Sequence, residues 1–256
     1  MKWRLMLAEP RSGAENMARD TGLLDRARET GETVFSVYSW ERATLSFGRN
    51  QTASGKYDLE SLSSRGMDVV RRPTGGRALL HHREVTYSVT APISAADSPN
   101  DSYQRINALL LDGLASLGVI AEEANPESSA ISPSEIPCFA EPSKGELTFG
   151  GRKLVGSAQV REDGALLQHG SILIEDDQHL ISELSISAPE VGAVKAATLA
   201  QAMGRTPDVA EVASALFAGV ILLEDAGATR LHENSVEAFT ARHIEKYRSE
   251  WWTWRR

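Results

Sequence analysis

The alternation of apolar and polar residues predicts a strand-rich first two thirds of the chain. From Thr33 to Trp40 and from Ala43 to Phe47 the residues are mainly β-branched or aromatic, as strands favour. From Glu84 to Thr90 every second residue is large and apolar, which places one face of a strand against a core. The pattern predicts further strands at 67–71, 146–149, 153–160 and 165–174, the last three joined by hairpin turns at Gly150-Gly151 and Asp163-Gly164.

Helical patterns occupy the gaps between the strands and the end of the chain. The pattern predicts helices at 12–28, 57–64, 103–117 and 209–223, and one from 234 that extends to about 251. Ser12 and Glu15 have the spacing of a capping box. Thr206 precedes Pro207, which predicts an N-cap followed by proline at the first helical position.

Strands dominate early and helices close the chain, so the order predicts an α+β fold instead of alternating βαβ units. We expect mixed, largely antiparallel sheets flanked by helices. The 256 residues suffice for one large domain. We therefore predict a single domain over 1–256 whose C-terminal part, about 206–256, is helical.

Composition narrows the functional classes. One cysteine excludes an internal disulfide. The start of the chain has too short an apolar run for a signal peptide, and no stretch has the ~20 apolar residues that a membrane span needs. The formal net charge of -8 argues against broad binding of nucleic acid. We expect a cytoplasmic protein with no nucleic-acid or membrane partner.

Positive charge is nevertheless concentrated in two short segments. If they meet in space, they form a cationic site for an anionic ligand or a small acidic partner. The alternative is a set of scattered surface side chains. The residues concerned are Arg71, Arg72, Arg77 and Arg83 in one segment, and Arg152 and Lys153 in the other.

The lone cysteine, Cys138, precedes the glycine-flanked Lys153 by one predicted hairpin. Thiolate is the reactive form of cysteine, and a neighbouring cation increases its population. Cys138 and Lys153 are therefore candidates for a nucleophile and its charge partner in acyl transfer. The alternative is a buried structural cysteine beside a solvated lysine, because free cysteines are often buried.

A second candidate segment contains Arg72, Gly75, Gly76 and His81. Without a Cβ, paired glycines let the backbone come close to a ligand. Flanking arginines can donate bidentate hydrogen bonds to phosphate or carboxylate groups, and His81 could orient a substrate or assist proton transfer. A hairpin with exposed arginines is the alternative.

Small residues interrupt two of the predicted strands. Gly156, Ser157 and Ala158 leave room for an acyl chain beside the backbone, and His169 and Gly170 follow in the next strand. The alternatives are tight strand-to-helix packing and a core histidine with its hydrogen bonds satisfied. The histidines lack the spacing of a metal motif, so we expect no metal site.

These segments, in this order, resemble the biotin/lipoate ligase catalytic-domain family, and most of all its octanoyltransferase LipM branch. Similar motifs near the N-terminus extend the resemblance over roughly residues 3 to 200. Cys138 and Phe139, followed by Pro142-Ser143, match the stretch that begins with the nucleophile of that branch, and Lys153 matches its lysine. The resemblance implies a fold like that of class II aminoacyl-tRNA synthetases and biotin synthetase.

The resemblance also implies a reaction. An octanoyl group would pass from acyl carrier protein to the Cys138 thiol, and then to a lysine of a lipoyl-domain protein or of glycine cleavage protein H. The phosphopantetheine-linked octanoyl thioester would be the substrate, with no permanently bound cofactor. No ATP is needed because the donor is already activated.

Three other functions remain open from the sequence. An ATP-dependent lipoate–protein ligase shares the fold, and an octanoyl or lipoyl amidotransferase shares the chemistry. A noncatalytic module that binds an acyl chain is the alternative from a different class. Biotin ligation is disfavoured, because the chain has no Gly-Arg-Gly-Arg-x-Gly-Arg run.

Overall fold

An eight-stranded mixed sheet forms the centre of the protein. The computed structural model describes residues 2–94, 97–125, 138–139, 143, 145–186 and 195–256. Its strand β1 (Trp3–Leu7) pairs in parallel with its two neighbours, and the other pairs are antiparallel. The mixed, largely antiparallel sheet that was predicted is confirmed. Its strands lie in the order β11 (Thr229–Arg230), β1 (Trp3–Leu7), β2 (Thr33–Tyr38), β6 (Glu84–Pro92), β10 (Ala165–Leu173), β9 (Arg152–Glu162), β8 (Leu147–Phe149) and β7 (Glu122–Glu123).

Both predicted hairpin turns are confirmed. Gly150 and Gly151 have φ of 57° and 73°, and Asp163 and Gly164 have φ of 48° and 80°. Two successive residues with positive φ match the right-handed twist of the strands that they join. These tight turns place β8, β9 and β10 side by side.

A smaller three-stranded sheet places the arginine–glycine segment. Its order is β4 (Asp68–Arg71), β3 (Thr44–Phe47) and β5 (Leu79–His81). β4 runs parallel to β3, and β5 runs antiparallel to it. Because β3 separates β4 from β5, residues 72–78 pass across the end of β3. They do not close a hairpin, so that alternative is wrong.

Three long helices cover the large sheet. The apolar residues of β6 that alternate along one face pack with α3 (Pro99–Ser116) and α6 (Val209–Leu223). α1 (Gly13–Thr30) packs through Leu24 and Ala27 against β10. The shorter helices are α2 (Leu59–Ser64), α4 (Leu180–Glu183), α5 (Leu199–Met203), α7 (Glu237–Ala241), α8 (Ile244–Arg248) and α9 (Glu250–Thr253). Within the described ranges no helix combines the length and apolar character of a membrane span.

One predicted helix start is confirmed and another is wrong. Ser12 and Glu15 form the expected capping box at α1. At α6 the N-cap is Asp208, whose carboxylate accepts a hydrogen bond from the Glu211 N–H at 2.7 Å, and not Thr206. An aspartate at this position also interacts favourably with the helix dipole.

The C-terminal segment does not form the single helix that was predicted. A 3₁₀ turn, Glu233–Ser235, and the short helices α7, α8 and α9 take its place. Tyr247 contacts the Thr21 hydroxyl of α1 at 2.7 Å, and the Trp252 indole donates to the Arg71 carbonyl at 2.8 Å. The segment bends because its buried side chains pack on different elements.

Gly48 lies where the smaller sheet meets residues 72–78, which we call the glycine-rich loop. A Cβ at this position would overlap the Gly76 carbonyl oxygen and lie 2.8 Å from the Gly76 carbonyl carbon. Both atoms belong to the backbone, so a side chain cannot rotate away to relieve the overlap. The contact therefore fixes the approach of the 72–78 loop to β3.

We expect Gly48→Ala to lower the free energy of unfolding by about 1–3 kcal/mol, the usual effect of overpacking. Gly75→Ala is the matched control, because a Cβ at Gly75 meets no atom within 4 Å. Denaturant unfolding of both variants checks this. Equal stabilities would mean that the Gly48–Gly76 contact does not constrain the loop.

Candidate active site

A cavity of about 600 Å³ lies where β9 and β10 meet the 72–78 loop and the start of α3. Cys138 lines it, as does every substrate-binding residue that the sequence predicted. Lys153 lies behind the residues that line the cavity, next to Cys138. The predicted residues that the structure brings together here are Arg72, Gly75, Gly76, His81, Gly156, Ser157, Ala158, His169 and Gly170.

Lys153 and Cys138 are in direct contact. The ammonium of Lys153 lies 3.3 Å from the Cys138 sulfur and donates to the Cys138 carbonyl at 2.7 Å and to Glu146 Oε1 at 2.6 Å. These three acceptors match the three N–H donors of a protonated lysine. The side chain of Lys153 is buried, so the arrangement presents a desolvated cation to the thiol.

Glu146 makes the burial of Lys153 possible, and sequence reasoning missed it. A buried cation needs a paired anion, and Glu146, itself buried, supplies one. Its second oxygen accepts from the Ser143 N–H at 2.6 Å. The sequence carried no signal for this role, because a glutamate at the start of a predicted strand is ordinary.

The segment that carries Cys138 is anchored from both sides. The Cys138 N–H donates to the Ala78 carbonyl at 3.0 Å, which ties it to the glycine-rich loop. Phe139 is buried with Leu79 and Leu173. The rest of the motif, residues 140–142, and residues 126–137 of the predicted loop lie outside the described residues.

Arg72 holds the glycine-rich loop in place. Its guanidinium donates to the Ser46 carbonyl and hydroxyl and to the Gly75 and Arg77 carbonyls, at 2.6–3.1 Å. Burial lowers the pKa of Arg72 to about 10, and Cys138 opposes this shift. Arg72 thus remains a cation at neutral pH. Its N–H donors bind three main-chain carbonyls and the Ser46 hydroxyl. The sequence had instead predicted that they bind a phosphate or carboxylate group of a ligand.

His169 belongs to a buried hydrogen-bonded chain. Its Nδ1 lies 2.7 Å from Asp20 Oδ2, and its Nε2 lies 2.7 Å from the Thr74 hydroxyl. Asp20 also accepts from the Tyr38 hydroxyl at 2.8 Å. Both ring nitrogens of His169 are therefore hydrogen-bonded while the ring lines the cavity. This series of hydrogen bonds links α1 to the glycine-rich loop.

His81 is fixed in a similar way. Its Nε2 lies 2.7 Å from the Ser46 hydroxyl, and its ring stacks on Trp40 with centroids 4.0 Å apart. Burial lowers the pKa of His81, although Glu84 at 3.3 Å opposes the shift. His81 is therefore neutral at pH 7 and contributes a rigid, uncharged wall.

Neighbouring protein atoms leave no room for a side chain at Gly156 in β9 or at Gly170 in β10. A Cβ on Gly156 would lie 3.0 Å from Lys153 Cε and 3.3 Å from Phe139 Cζ. A Cβ on Gly170 would overlap the Gly156 carbonyl oxygen and lie 2.7 Å from Tyr87 Cε1. Close packing thus explains both glycines. Tight strand-to-helix packing was the alternative expected from the sequence, but the atoms in contact belong to the sheet and to the Cys138 segment. The Tyr87 hydroxyl also lies 2.7 Å from the Ser157 hydroxyl.

The predicted cationic site does not form as a whole. Arg71 is buried and donates to the Gly48 and Gln51 carbonyls, both at 2.7 Å. Arg83 pairs with Glu175, and Arg152 donates to Gln201 at 3.1 Å. Arg71, Arg83 and Arg152 use their charges or N–H donors in contacts within the fold. Of the six residues of the predicted site, Arg72, Arg77 and Lys153 remain close to Cys138.

Several residues of the site were not predicted. Tyr103, Pro99 and Asn100 at the start of α3 line the cavity, as do Trp40 and Glu146. None belongs to a recognisable motif, and each reaches the cavity only through packing of its element. Among the described residues, no group of three or more histidine, cysteine, aspartate or glutamate side chains is placed to bind a metal.

Comparison with known sequences identifies the family. Residues 12–221 match the family model described as lipoyl protein ligase A/B catalytic domain. Octanoyltransferase LipM of Kyrpidia tusciae is 45% identical over 68% of this chain and 67% of its own length. Octanoyltransferase LipM of an Exiguobacterium strain is 34% identical over 99% of this chain and 98% of its own.

Solved structures agree in fold. A lipoate-protein ligase A bound with ATP has a TM-score of 0.80 at 21% identity and covers 99% of both chains. A lipoate protein ligase of Thermoplasma acidophilum with bound lipoic acid has a TM-score of 0.78 at 21% identity, over 99% of this chain and 100% of its own. The chain belongs to the lipoyl protein ligase A/B catalytic domain family, on its octanoyltransferase branch.

Proposed function

We propose that this protein, an octanoyltransferase of protein lipoylation, works through a covalent octanoyl-Cys138 intermediate. The donor is octanoyl-acyl carrier protein, and the acceptor is a lysine of a lipoyl-domain protein or of glycine cleavage protein H. The observation that carries the proposal is the 3.3 Å contact between the Cys138 sulfur and the buried Lys153 ammonium at a cavity wall. Such a contact suits a thioester-forming nucleophile.

In the first half-reaction the Cys138 thiolate attacks the thioester carbonyl of the donor. The tetrahedral intermediate collapses with cleavage of the bond to the phosphopantetheine sulfur. That sulfur leaves as a thiolate and takes a proton, and octanoyl-Cys138 remains. One thioester replaces another, so the step is nearly balanced in free energy.

In the second half-reaction the neutral acceptor amine attacks octanoyl-Cys138. A C–N bond forms, the C–S bond breaks, and the nitrogen loses a proton as the Cys138 thiolate is regenerated. The amide is more stable than the thioester, so this step drives the cycle forward.

Lys153 acts as a fixed positive charge. It faces the sulfur of Cys138 during attack and then stabilises the negative oxygen of each tetrahedral intermediate. Glu146 accepts from the same ammonium at 2.6 Å, so it holds the lysine in this orientation. Since Lys153 is buried, little water screens its charge at the thiol.

The cavity suits a medium-length acyl chain. Its volume of about 600 Å³ falls in the range of small-molecule sites. Leu79, Met17 and the ring of Tyr103 supply apolar lining, and the backbone at Gly75 is open to the cavity. An octanoyl group and the end of its prosthetic arm can share this space.

We expect wild-type protein mixed with octanoyl-acyl carrier protein to gain one octanoyl group, and Cys138→Ala to gain none. The reason is that the chain has a single thiol. Intact-mass spectrometry measures the adduct, and hydroxylamine should remove it. An adduct that survives in Cys138→Ala would overturn the proposal, and so would transfer that proceeds only with ATP and free octanoate or lipoate.

We expect Lys153→Met to slow acylation of Cys138 by about 10²–10³-fold, the usual effect of removing one electrostatic stabiliser of a tetrahedral intermediate. The variant also leaves Glu146 buried without its cation, at a cost of about 3–5 kcal/mol in stability. Single-turnover acylation and denaturant unfolding measure the two effects separately.

The double variant Lys153→Met/Glu146→Gln is the control. It removes both charges of the buried pair, so we expect it to recover stability without recovering activity. Recovery of activity together with stability would show that Lys153 serves only the fold.

A further inference from the structure

The C-terminal segment forms a cationic and aromatic surface that its sequence did not predict. The ring of Trp252 is its centre. The Lys246 ammonium lies 4.0 Å from the ring centroid, the Arg255 guanidinium carbon lies 3.8 Å from it, and the Trp251 ring meets it edge-on at 6.0 Å. We call this surface the C-terminal basic patch, and its members are Arg49, Lys246, Trp251, Arg255 and Arg256.

The side chains of the patch carry more positive charge than neighbouring carboxylate side chains compensate. Among the residues that the structure describes, its one ion pair joins Arg49 to Glu162 at 3.8 Å. Burial, with Arg49 and Arg255 nearby, lowers the pKa of Lys246, although Glu162 opposes the shift. Like charges held together on a chain of net charge -8 favour an external anionic partner.

Exposure of a large aromatic side chain points in the same direction. Trp251 is 66% exposed, and tryptophan and arginine are the residues most enriched where protein surfaces bind each other strongly. The exposed Trp251 indole meets the buried Trp252 ring on which Lys246 and Arg255 lie. An exposed indole beside two cations fits a folded acidic surface that also offers apolar contacts. A small inorganic anion would use the cations alone.

The patch adjoins the cavity through the glycine-rich loop. Arg255 donates to the Arg49 carbonyl at 2.7 Å, and the Arg49 N–H donates to the Thr74 carbonyl at 2.7 Å. The next residues of that loop, Gly75, Gly76 and Arg77, line the cavity. A protein bound at the patch would therefore lie beside the route to Cys138.

We propose that the C-terminal basic patch docks the acidic carrier protein that delivers the octanoyl thioester. The inference rests on the proposed function. An acyl carrier protein combines an acidic surface with a phosphodiester at the base of its prosthetic arm. When it is docked, these anionic groups would contact both the patch and the loop beside it. The acceptor offers a lysine amine and no such phosphodiester.

The test compares two donors in the first half-reaction. In Lys246→Glu/Arg255→Glu we expect the second-order rate of Cys138 acylation by octanoyl-acyl carrier protein to fall about tenfold or more at low salt. Its salt dependence should weaken as well. Acylation by octanoyl-pantetheine should keep the wild-type rate, because this small thioester needs no docking surface.

Arg230→Glu is the control for a charge reversal away from the patch. It changes the net charge in the same sense, by half as much as the double variant, at an exposed position on the edge strand β11. It should leave both rates unchanged. If the double reversal does not fold, Lys246→Gln/Arg255→Gln replaces it, and a several-fold loss with the carrier donor alone is the expected result.

The remaining outcomes overturn the inference in distinguishable ways. Equal carrier rates in variant and wild type would remove the patch from donor docking while leaving the proposed function intact. Protein acylated beforehand with octanoyl-pantetheine can be mixed with glycine cleavage protein H. A loss confined to that second transfer would assign the patch to the acceptor. Failure of the wild type to react with either thioester would overturn both proposals.

Discussion

The buried ion pair between Lys153 and Glu146 is the interaction on which the rest of the site depends. A desolvated ammonium is stable only with a paired anion and filled donors, and its three acceptors come from Glu146 and Cys138. The pair therefore fixes the Cys138 segment to β9. The same charge that the fold must compensate is the one to which the proposed mechanism gives a role beside the thiol.

The surrounding structure meets the spatial demands of this pair. Gly156 leaves the volume that Lys153 and Phe139 fill. Arg72 and His169 hold the glycine-rich loop from two directions, one through main-chain carbonyls and the other through Thr74. Because these groups bond within the protein, the cavity wall is rigid before any substrate enters, which lowers the cost of ordering the site.

Much of the fold and site could be predicted from local pattern. Strand alternation, the glycine turns and the Ser12 capping box depend on neighbours in sequence, and all are confirmed. The motifs also indicated which residues would gather at the cavity. Apart from the N-cap of α6, which is a local error, the wrong predictions fall where distant contacts decide the outcome. The helix predicted from 234 bends to reach several elements, and Arg71 binds carbonyls of the Gly48 region.

The sequence by itself indicated most of the elements and the family, and it named Cys138 and Lys153 as a candidate pair. Only the tertiary structure decided that Glu146 compensates Lys153 and that Arg72 supports a loop. It also decided that Lys246 and Arg255 meet at one ring beside that loop. The physical reason is that charge compensation depends on distance in space. Residues separated along the chain acquire partners only when the sheets and helices pack.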